Sequence, residues 1–150
     1  MANYRTIILK YEDECIVKED VADAAITPGQ LCEFDSSNGK IQRHSTPKGN
    51  AMQMFAKEDI ANGRTIDEDY SATTRVQYII PCRGSEIWAL LTTSQTIKKG
   101  DFLVSAGNGN LQKFAIDSGE NPDFIHRIVA QAMEDKTTTG TIARIICQIT

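Results

Sequence analysis

One turn chemistry occurs twice in this chain, each time between two short apolar runs, and it restricts the fold to one built on β-hairpins. Ile26-Thr27-Pro28-Gly29-Gln30 leads into Leu31 to Phe34, then Asn38-Gly39-Lys40-Ile41-Gln42-Arg43. Ile97-Lys98-Lys99-Gly100-Asp101 leads into Phe102 to Val104, then Asn108-Gly109-Asn110-Leu111-Gln112-Lys113. Asn-Gly between apolar strands is a strong short-range hairpin signal, because both central residues of a type I′ turn need positive φ. The echo continues downstream. Ala56-Lys57-Glu58-Asp59 answers Ala132-Met133-Glu134-Asp135, and Val76-Gln77-Tyr78-Ile79-Ile80 answers Ile142-Ala143-Arg144-Ile145-Ile146. The spacing between these pairs drifts, so the loops differ between the halves. Two similar β units in one small body leave little room for a catalytic apparatus.

The rest of the chain agrees with an all-β domain. Its 150 residues are enough for one domain with a real core. Thr6-Ile7-Ile8-Leu9-Lys10-Tyr11 is rich in branched and aromatic residues, without Gly or Pro. Met54-Phe55-Ala56 reads as a short buried strand, Arg75 to Ile80 alternates, and Glu86 to Leu91 is apolar enough to be buried on both sides. The last strand, from Thr141, alternates through Ala143, Ile145, Cys147 and Ile149. Residues 59–74 and 117–123 are polar excursions, and no segment carries a long 3.6-residue apolar period. The expected architecture is a small antiparallel β-barrel or sandwich with two pseudo-repeated hairpin units, an N-terminal β arm and minor helix. The arm covers residues 1–20. A single β-barrel domain covers 21–150, with repeat halves at about 26–91 and 97–149.

Charge and composition exclude several functions. A net charge of −4, from 16 basic and 20 acidic residues, lacks the footprint of a nucleic-acid binder. No apolar run approaches the roughly 20 residues of a membrane helix, and the first residues do not read as a signal peptide. Cys15, Cys32, Cys82 and Cys147 form no Cys-x-x-Cys pair and read as reduced thiols. His44 and His126 have no convincing ligand partner in sequence, so no metal and no cofactor is expected.

The motifs that attract a catalytic reading have plainer structural ones beside them. Ile66-Asp67-Glu68-Asp69-Tyr70 resembles the trimeric dUTP pyrophosphatase motif, in which a carboxylate activates water and a tyrosine stacks on the sugar. The chain lacks that family's Gly-Arg-Ser-Ser segment. Gly63-Arg64 is followed by Thr65-Ile66, and Gln148-Ile149-Thr150 is not its glycine-rich arm. A solvated loop is the simpler reading. Gly107-Asn108-Gly109-Asn110 is explained by the hairpin turn rather than by phosphate binding, and Trp88 in its apolar run by core packing. Tyr4, Arg5, Ile7, Leu9 and Tyr11 precede both repeat units. They either fill the core or form an arm that pairs with a partner by strand addition.

The order of these pieces resembles the head decoration, or capsid cement, proteins of tailed bacteriophages. The pieces are a short β N-terminus, Ala25 to Glu33, His44-Ser45-Thr46, Asn50-Ala51, Met54 to Asp59, the excursion Ile66 to Tyr70 leading into Arg75-Val76-Gln77-Tyr78, Arg83 to Leu91, Ile97 to Leu103 and Ile128 to Asp135. Ser71-Ala72-Thr73-Thr74 departs from the expected glycine-aspartate turn. The resemblance implies a non-enzymatic virion protein on the exterior of the capsid, made in the host cytoplasm. It also implies a homotrimer on an HK97-type lattice of major capsid protein that stabilises the expanded shell, with no nucleic-acid or membrane partner. The alternatives are a trimeric dUTP pyrophosphatase-like enzyme, or a β-barrel module of another phage structural component.

Overall fold

A computed structural model of the chain describes residues 5–115 and 127–150. Its first half contains β1 (Ile8–Lys10), β2 (Ile16–Val21), β3 (Cys32–Phe34), β4 (Ile41–Arg43), β5 (Phe55–Ala56) and β6 (Arg75–Ile80). Its second half contains β7 (Glu86–Leu91), β8 (Thr96–Ile97), β9 (Phe102–Ser105), β10 (Leu111–Lys113), β11 (Ile128–Ala132), β12 (Lys136–Thr137) and β13 (Ala143–Ile149). Helix is confined, among the described residues, to 3-10 turns at Glu12–Glu14 and Ile60–Asn62. The all-β expectation is met. The polar segment 117–123 and His126 lie outside the described residues.

Both Asn-Gly hairpins form, but neither is a type I′ turn. β3 pairs with β4 through Cys32–Arg43 and Phe34–Ile41, and β9 pairs with β10 through Leu103–Lys113 and Ser105–Leu111. Gly39 and Gly109 have positive φ, whereas Asn38 and Asn108 do not. Each asparagine works instead as an acceptor. Asn38 Oδ1 takes the Lys40 amide at 2.9 Å, and Asn108 Oδ1 takes the Asn110 amide at 3.1 Å. This is the other use of asparagine in turns, and it suits the longer connections 35–40 and 106–110.

The halves match bond for bond. Gln30 Oε1 reaches back to the Thr27 amide at 2.9 Å, and Asp101 Oδ2 to the Lys98 amide at 2.8 Å. The Gly29 amide bonds the Ala56 carbonyl, and the Gly100 amide the Ala132 carbonyl, both at 2.8 Å. Ile26 bridges Tyr70 as Ile97 pairs with Lys136. The last strand is where the sequence echo misleads. The Lys57 amide bonds the Gln77 carbonyl and the Met133 amide bonds the Ile146 carbonyl. Gln77 is thus the counterpart of Ile146 rather than of Ala143, three residues from the alignment the apolar pattern suggests.

Carrying that register outward, β2 on β6 (Lys18 opposite Tyr78) matches β7 on β13 (Ile87 opposite Cys147). The parallel bridge Ala22–Ile41 matches the parallel pair Leu91–Leu111. Each half is therefore a closed five-strand ring. The second runs β7-β10-β9-β11-β13 and back to β7. The first follows the same cyclic order, β2-β4-β3-β5-β6, but closes by the isolated bridges Ala22–Ile41 and Leu31–Phe55. The first ring thus starts at β2, within residues 1–20.

Two cores follow from two rings. Ala22, Ile41, Met54, Tyr70, Val76 and Tyr78 fill the first. The larger core holds Ile87, Leu91, Leu103, Leu111, Ile145 and Cys147, and is completed by Ile7, Ile8, Leu31, Phe55 and Ile79 from outside the second ring. β6 serves both cores because alternate side chains leave opposite faces, Val76 and Tyr78 on one side and Ile79 on the other. The rings interlock at the hairpins. The Leu31 amide bonds the Gly109 carbonyl at 2.7 Å, and the Gly109 amide bonds the His44 carbonyl at 3.1 Å.

Candidate functional site

The N-terminal segment divides by side chain. Arg5 is exposed, Leu9 is half-buried, Tyr11 is 60 % exposed and Ile7 is fully buried. Tyr4 lies outside the described residues. β1 runs antiparallel to β7, with Ile8 opposite Ile87, and the Trp88 amide donates to the Ile7 carbonyl at 2.8 Å. A buried carboxylate fixes the approach. Glu58 Oε1 accepts the Thr6 hydroxyl at 2.5 Å, and Glu58 Oε2 accepts the Ile7 amide at 3.0 Å. Hydrogen bonding satisfies that carboxylate where solvent cannot. Lys10 then pairs with Glu86 at 2.9 Å.

Beyond β1 the chain turns at Tyr11, at φ 64°, into the 3-10 turn and emerges as β2. Ile16 is 55 % exposed and Val17 48 %. Both lie at the start of an edge strand. A shallow groove beside Tyr11 is lined by Lys10, Glu14, Cys82, Arg83 and Gln148. At its edge two half-buried thiols share one hydroxyl. Cys82 Sγ lies 3.0 Å, and Cys15 Sγ 3.8 Å, from Ser85 Oγ. Cys32 and Cys147 are fully buried, and desolvation pushes each thiol up to about 12. All four cysteines are free thiols.

The acidic motif has structural employment. The Tyr70 ring is buried, and its hydroxyl donates to the Lys57 carbonyl at 2.6 Å. Desolvation raises its pKa, opposed by a backbone hydrogen bond. Tyr70 is therefore unavailable to stack on a sugar. Asp69 accepts the Thr27 hydroxyl at 2.7 Å. Asp67 faces Arg144 at 3.4 Å. Sequence reasoning did not single out Arg144, the lone cation in an apolar strand. Its guanidinium lies 5.5 Å over the Trp88 ring and donates to the Pro28 carbonyl at 2.8 Å and the Ile66 carbonyl at 2.5 Å. Burial lowers its pKa, opposed by Asp67. Arg144 thus fastens residues 59–74 and the Thr27–Gln30 turn to the second ring.

His44 holds the interlock. Its side chain is 1 % exposed, with Nδ1 2.7 Å from Ser105 Oγ and Nε2 2.9 Å from the Asn50 carbonyl. A carbonyl can only accept, so Nε2 carries a proton, and Glu33 Oε2 lies 3.6 Å from the same nitrogen. Among the described residues no group of three or more His, Cys, Asp or Glu could hold a metal ion. Nor is any helix there long and apolar enough to cross a membrane.

Two interlocked five-strand rings, whose buried polar groups are held by backbone and side-chain partners, define an all-β protein with exposed edges and loops. No family model matches the chain, and no curated protein matches it. Among solved structures it is similar to the N base of head fiber gp8.5 in bacteriophage phi29. The TM-score is 0.57 at 12 % identity, over 91 % of this chain and 94 % of that one. At that identity the likeness is one of fold.

Proposed function

We propose that the chain is a non-enzymatic structural protein of a phage particle, which binds the outer surface of the expanded head and braces contacts between major capsid protein subunits. The observation that carries this reading is the near end-to-end fold likeness to a phage head fiber base, 91 % of one chain against 94 % of the other. The order of sequence pieces shared in kind with capsid cement proteins supports it independently. So does Tyr70, the residue a dUTP pyrophosphatase would need free, whose hydroxyl is spent on a backbone carbonyl.

In this reading the partner is a shell of HK97 type, the protein acts there as a homotrimer, and its place is the virion exterior. The N-terminal segment makes the partner contacts. Arg5 and Tyr11 are exposed for such contacts, Leu9 is half-buried and Ile7 anchors the segment in its own core, and Tyr4 is assigned to the contact from the sequence. Mass action supplies the mechanism. A protein that binds only the expanded shell stabilises it by about 2.7 kcal/mol per site at a hundredfold excess over Kd. A trimer touching several subunits adds avidity without new contacts.

Co-sedimentation with unexpanded procapsids and with expanded heads tests the reading. Saturable binding to expanded heads alone is the expected result. Binding to neither particle overturns it, and self-polymerisation into tubes in their place selects a module of another phage structural component.

A further inference from the structure

The two rings differ at one edge. On β7, the stretch from Glu86 to Trp88 is covered by β1: Ile8 pairs with Ile87, Lys10 with Glu86, and the Trp88 amide bonds Ile7. The counterparts of Glu86, Ile87 and Trp88 in the first ring are Val17, Lys18 and Glu19, by the shared register on β6 and β13. Among the described residues no strand covers that stretch of β2, and beyond β6 its one pairing is the bridge at Ala22. The backbone groups there point the right way. The Ala22 amide turns inward to the Thr74 carbonyl and the Asp23 amide outward to the Ile41 carbonyl, so odd-numbered residues of β2 face away from β6. The amides and carbonyls of Val17 and Glu19 are thereby aimed at the open edge, as those of Trp88 are aimed at β1. Burial follows coverage: Ile87 is fully buried, and the first four residues of β2 are all exposed.

We propose that the outer edge of β2, from Ile16 to Asp20, is a docking site for an extended, apolar and basic segment of a partner protein, added antiparallel as β1 is added to β7. The occupant's chemistry follows from that precedent and from charge. β1 brings Ile7, Ile8 and Leu9 flanked by Arg5 and Lys10. The β2 edge offers Ile16 and Val17 to apolar side chains, with Glu19 and Asp20 at one end and Glu12 and Glu14 before the other. Glu19 also meets Arg75 at 3.5 Å and Glu12 meets Lys57 at 3.3 Å, so Asp20 and Glu14 carry the acidic character that no basic side chain among the described residues offsets. Backbone pairing supplies affinity, and alternate side chains supply selectivity. Lys18, in the middle of the strand, guards the edge against indiscriminate pairing with apolar strands. The site stands on the ring-to-ring match and does not depend on the head-surface reading.

A synthetic peptide of residues 3–12 is the probe, because this sequence already fits the equivalent edge. It is titrated into the full chain, with amide hydrogen exchange as the readout. The expected result is saturable binding that protects the Val17 and Glu19 amides. Val17→Pro removes one outward donor, and an edge strand tolerates proline where its amide faces solvent. This variant should keep the parent melting temperature and bind the peptide about tenfold or more weakly. Glu19→Pro is the second variant should the first not fold. Three outcomes overturn the proposal: no binding at millimolar peptide, protection on β7 instead through exchange with β1, or concentration-dependent protection of Val17 and Glu19 without peptide, which makes a second copy the occupant. Head co-sedimentation with wild-type protein is a separate readout, so failure of either idea leaves the other measurable.

Discussion

The first ring and the second are built from the same grammar and end with different strengths of closure. In the second ring the hairpin β9–β10 is taken up on both flanks, by β7 and by β11. In the first the corresponding hairpin β3–β4 is a two-stranded sheet held by the bridges Ala22–Ile41 and Leu31–Phe55. The parallel flank is one pair in each ring, Ala22–Ile41 and Leu91–Leu111. The difference in closure therefore lies on the other flank, where β9 and β11 pair at Val104–Ile128, Leu103–Ala130 and Phe102–Gln131. The difference does not lie in the hairpins, whose turns use the same asparagine and glycine. It lies in what flanks them. β11 and β13 are longer than β5 and β6, and β7 is apolar where β2 reads Lys18-Glu19-Asp20. A ring whose first strand is charged cannot bury that strand, so it keeps an open edge. The ring with an apolar first strand buries it and covers it with β1.

The largest break in the match comes from a glycine both rings share. Gly29 and Gly100 occupy the same turn position with φ 93° and 98°. A Cβ on Gly29 would stand 2.6 Å from Arg144 Nη1 and 2.9 Å from the Trp88 carbonyl oxygen, while one on Gly100 would meet nothing within 4 Å. Gly29→Ala should destabilise by about 3–5 kcal/mol, from left-handed strain plus overpacking, and Gly100→Ala by about 1–2 kcal/mol from strain alone. Urea unfolding of the two variants measures the difference, and equal losses would mean the Arg144 clamp yields freely.

His44→Ala tests the interlock. It takes the ring nitrogen from the Asn50 carbonyl, leaves Ser105 Oγ with the Gly107 amide at 3.0 Å but without its ring partner, and opens a buried space, so a loss of about 2–3 kcal/mol is expected. The Ser105→Ala, His44→Ala double mutant should lose less than the sum of the singles.

The smallest effect sharpens the comparison by pH. Asp101 holds the second turn and Gln30 the first, and only the aspartate titrates. The side-chain hydrogen bond from Lys113, then the Lys98 amide, hold Asp101 below its ordinary 3.8. A depressed folded-state pKa means the unfolded chain binds more protons in acid. The stability this contributes is present above pH 3.8 and is lost as pH falls through the folded value. Asp101→Asn keeps an acceptor for Lys98 and should lose less melting temperature than the parent between pH 6 and pH 3. An equal loss would place the acid sensitivity elsewhere.

Much of the fold was legible in the residues. Alternation at Val76, Tyr78 and Ile80, the run from Glu86 to Leu91, and the echo from Ala56 to Ala132 each correspond to observed strands and bonds. The match between β2 and β7 was not legible. Ile16-Val17-Lys18-Glu19-Asp20-Val21 and Ser85-Glu86-Ile87-Trp88-Ala89-Leu90 share almost no residue types, and only their pairing on β6 and β13 equates them. The three-residue slip in the last strand has a related cause. In an alternating apolar strand several registers place apolar residues acceptably, and the partner's hydrogen bonds choose among them. The turn type was misread because asparagine serves turns in two ways, and its side-chain acceptor role depends on loop length.

By itself the sequence determined the local elements: which runs extend, where glycine reverses the chain, and that the elements come as a repeated set. Hydrophobic period and turn chemistry act over a few residues, so a few residues suffice to read them. Tertiary structure decided which strands close a ring, that Ile7 is anchored while Tyr11 is exposed, and that Arg144 is half-buried between Trp88 and Asp67. It also decided that one of two equivalent edges is covered. Those outcomes depend on free energies between segments distant in sequence, where burial of an apolar strand and the cost of burying a charged one are weighed against each other.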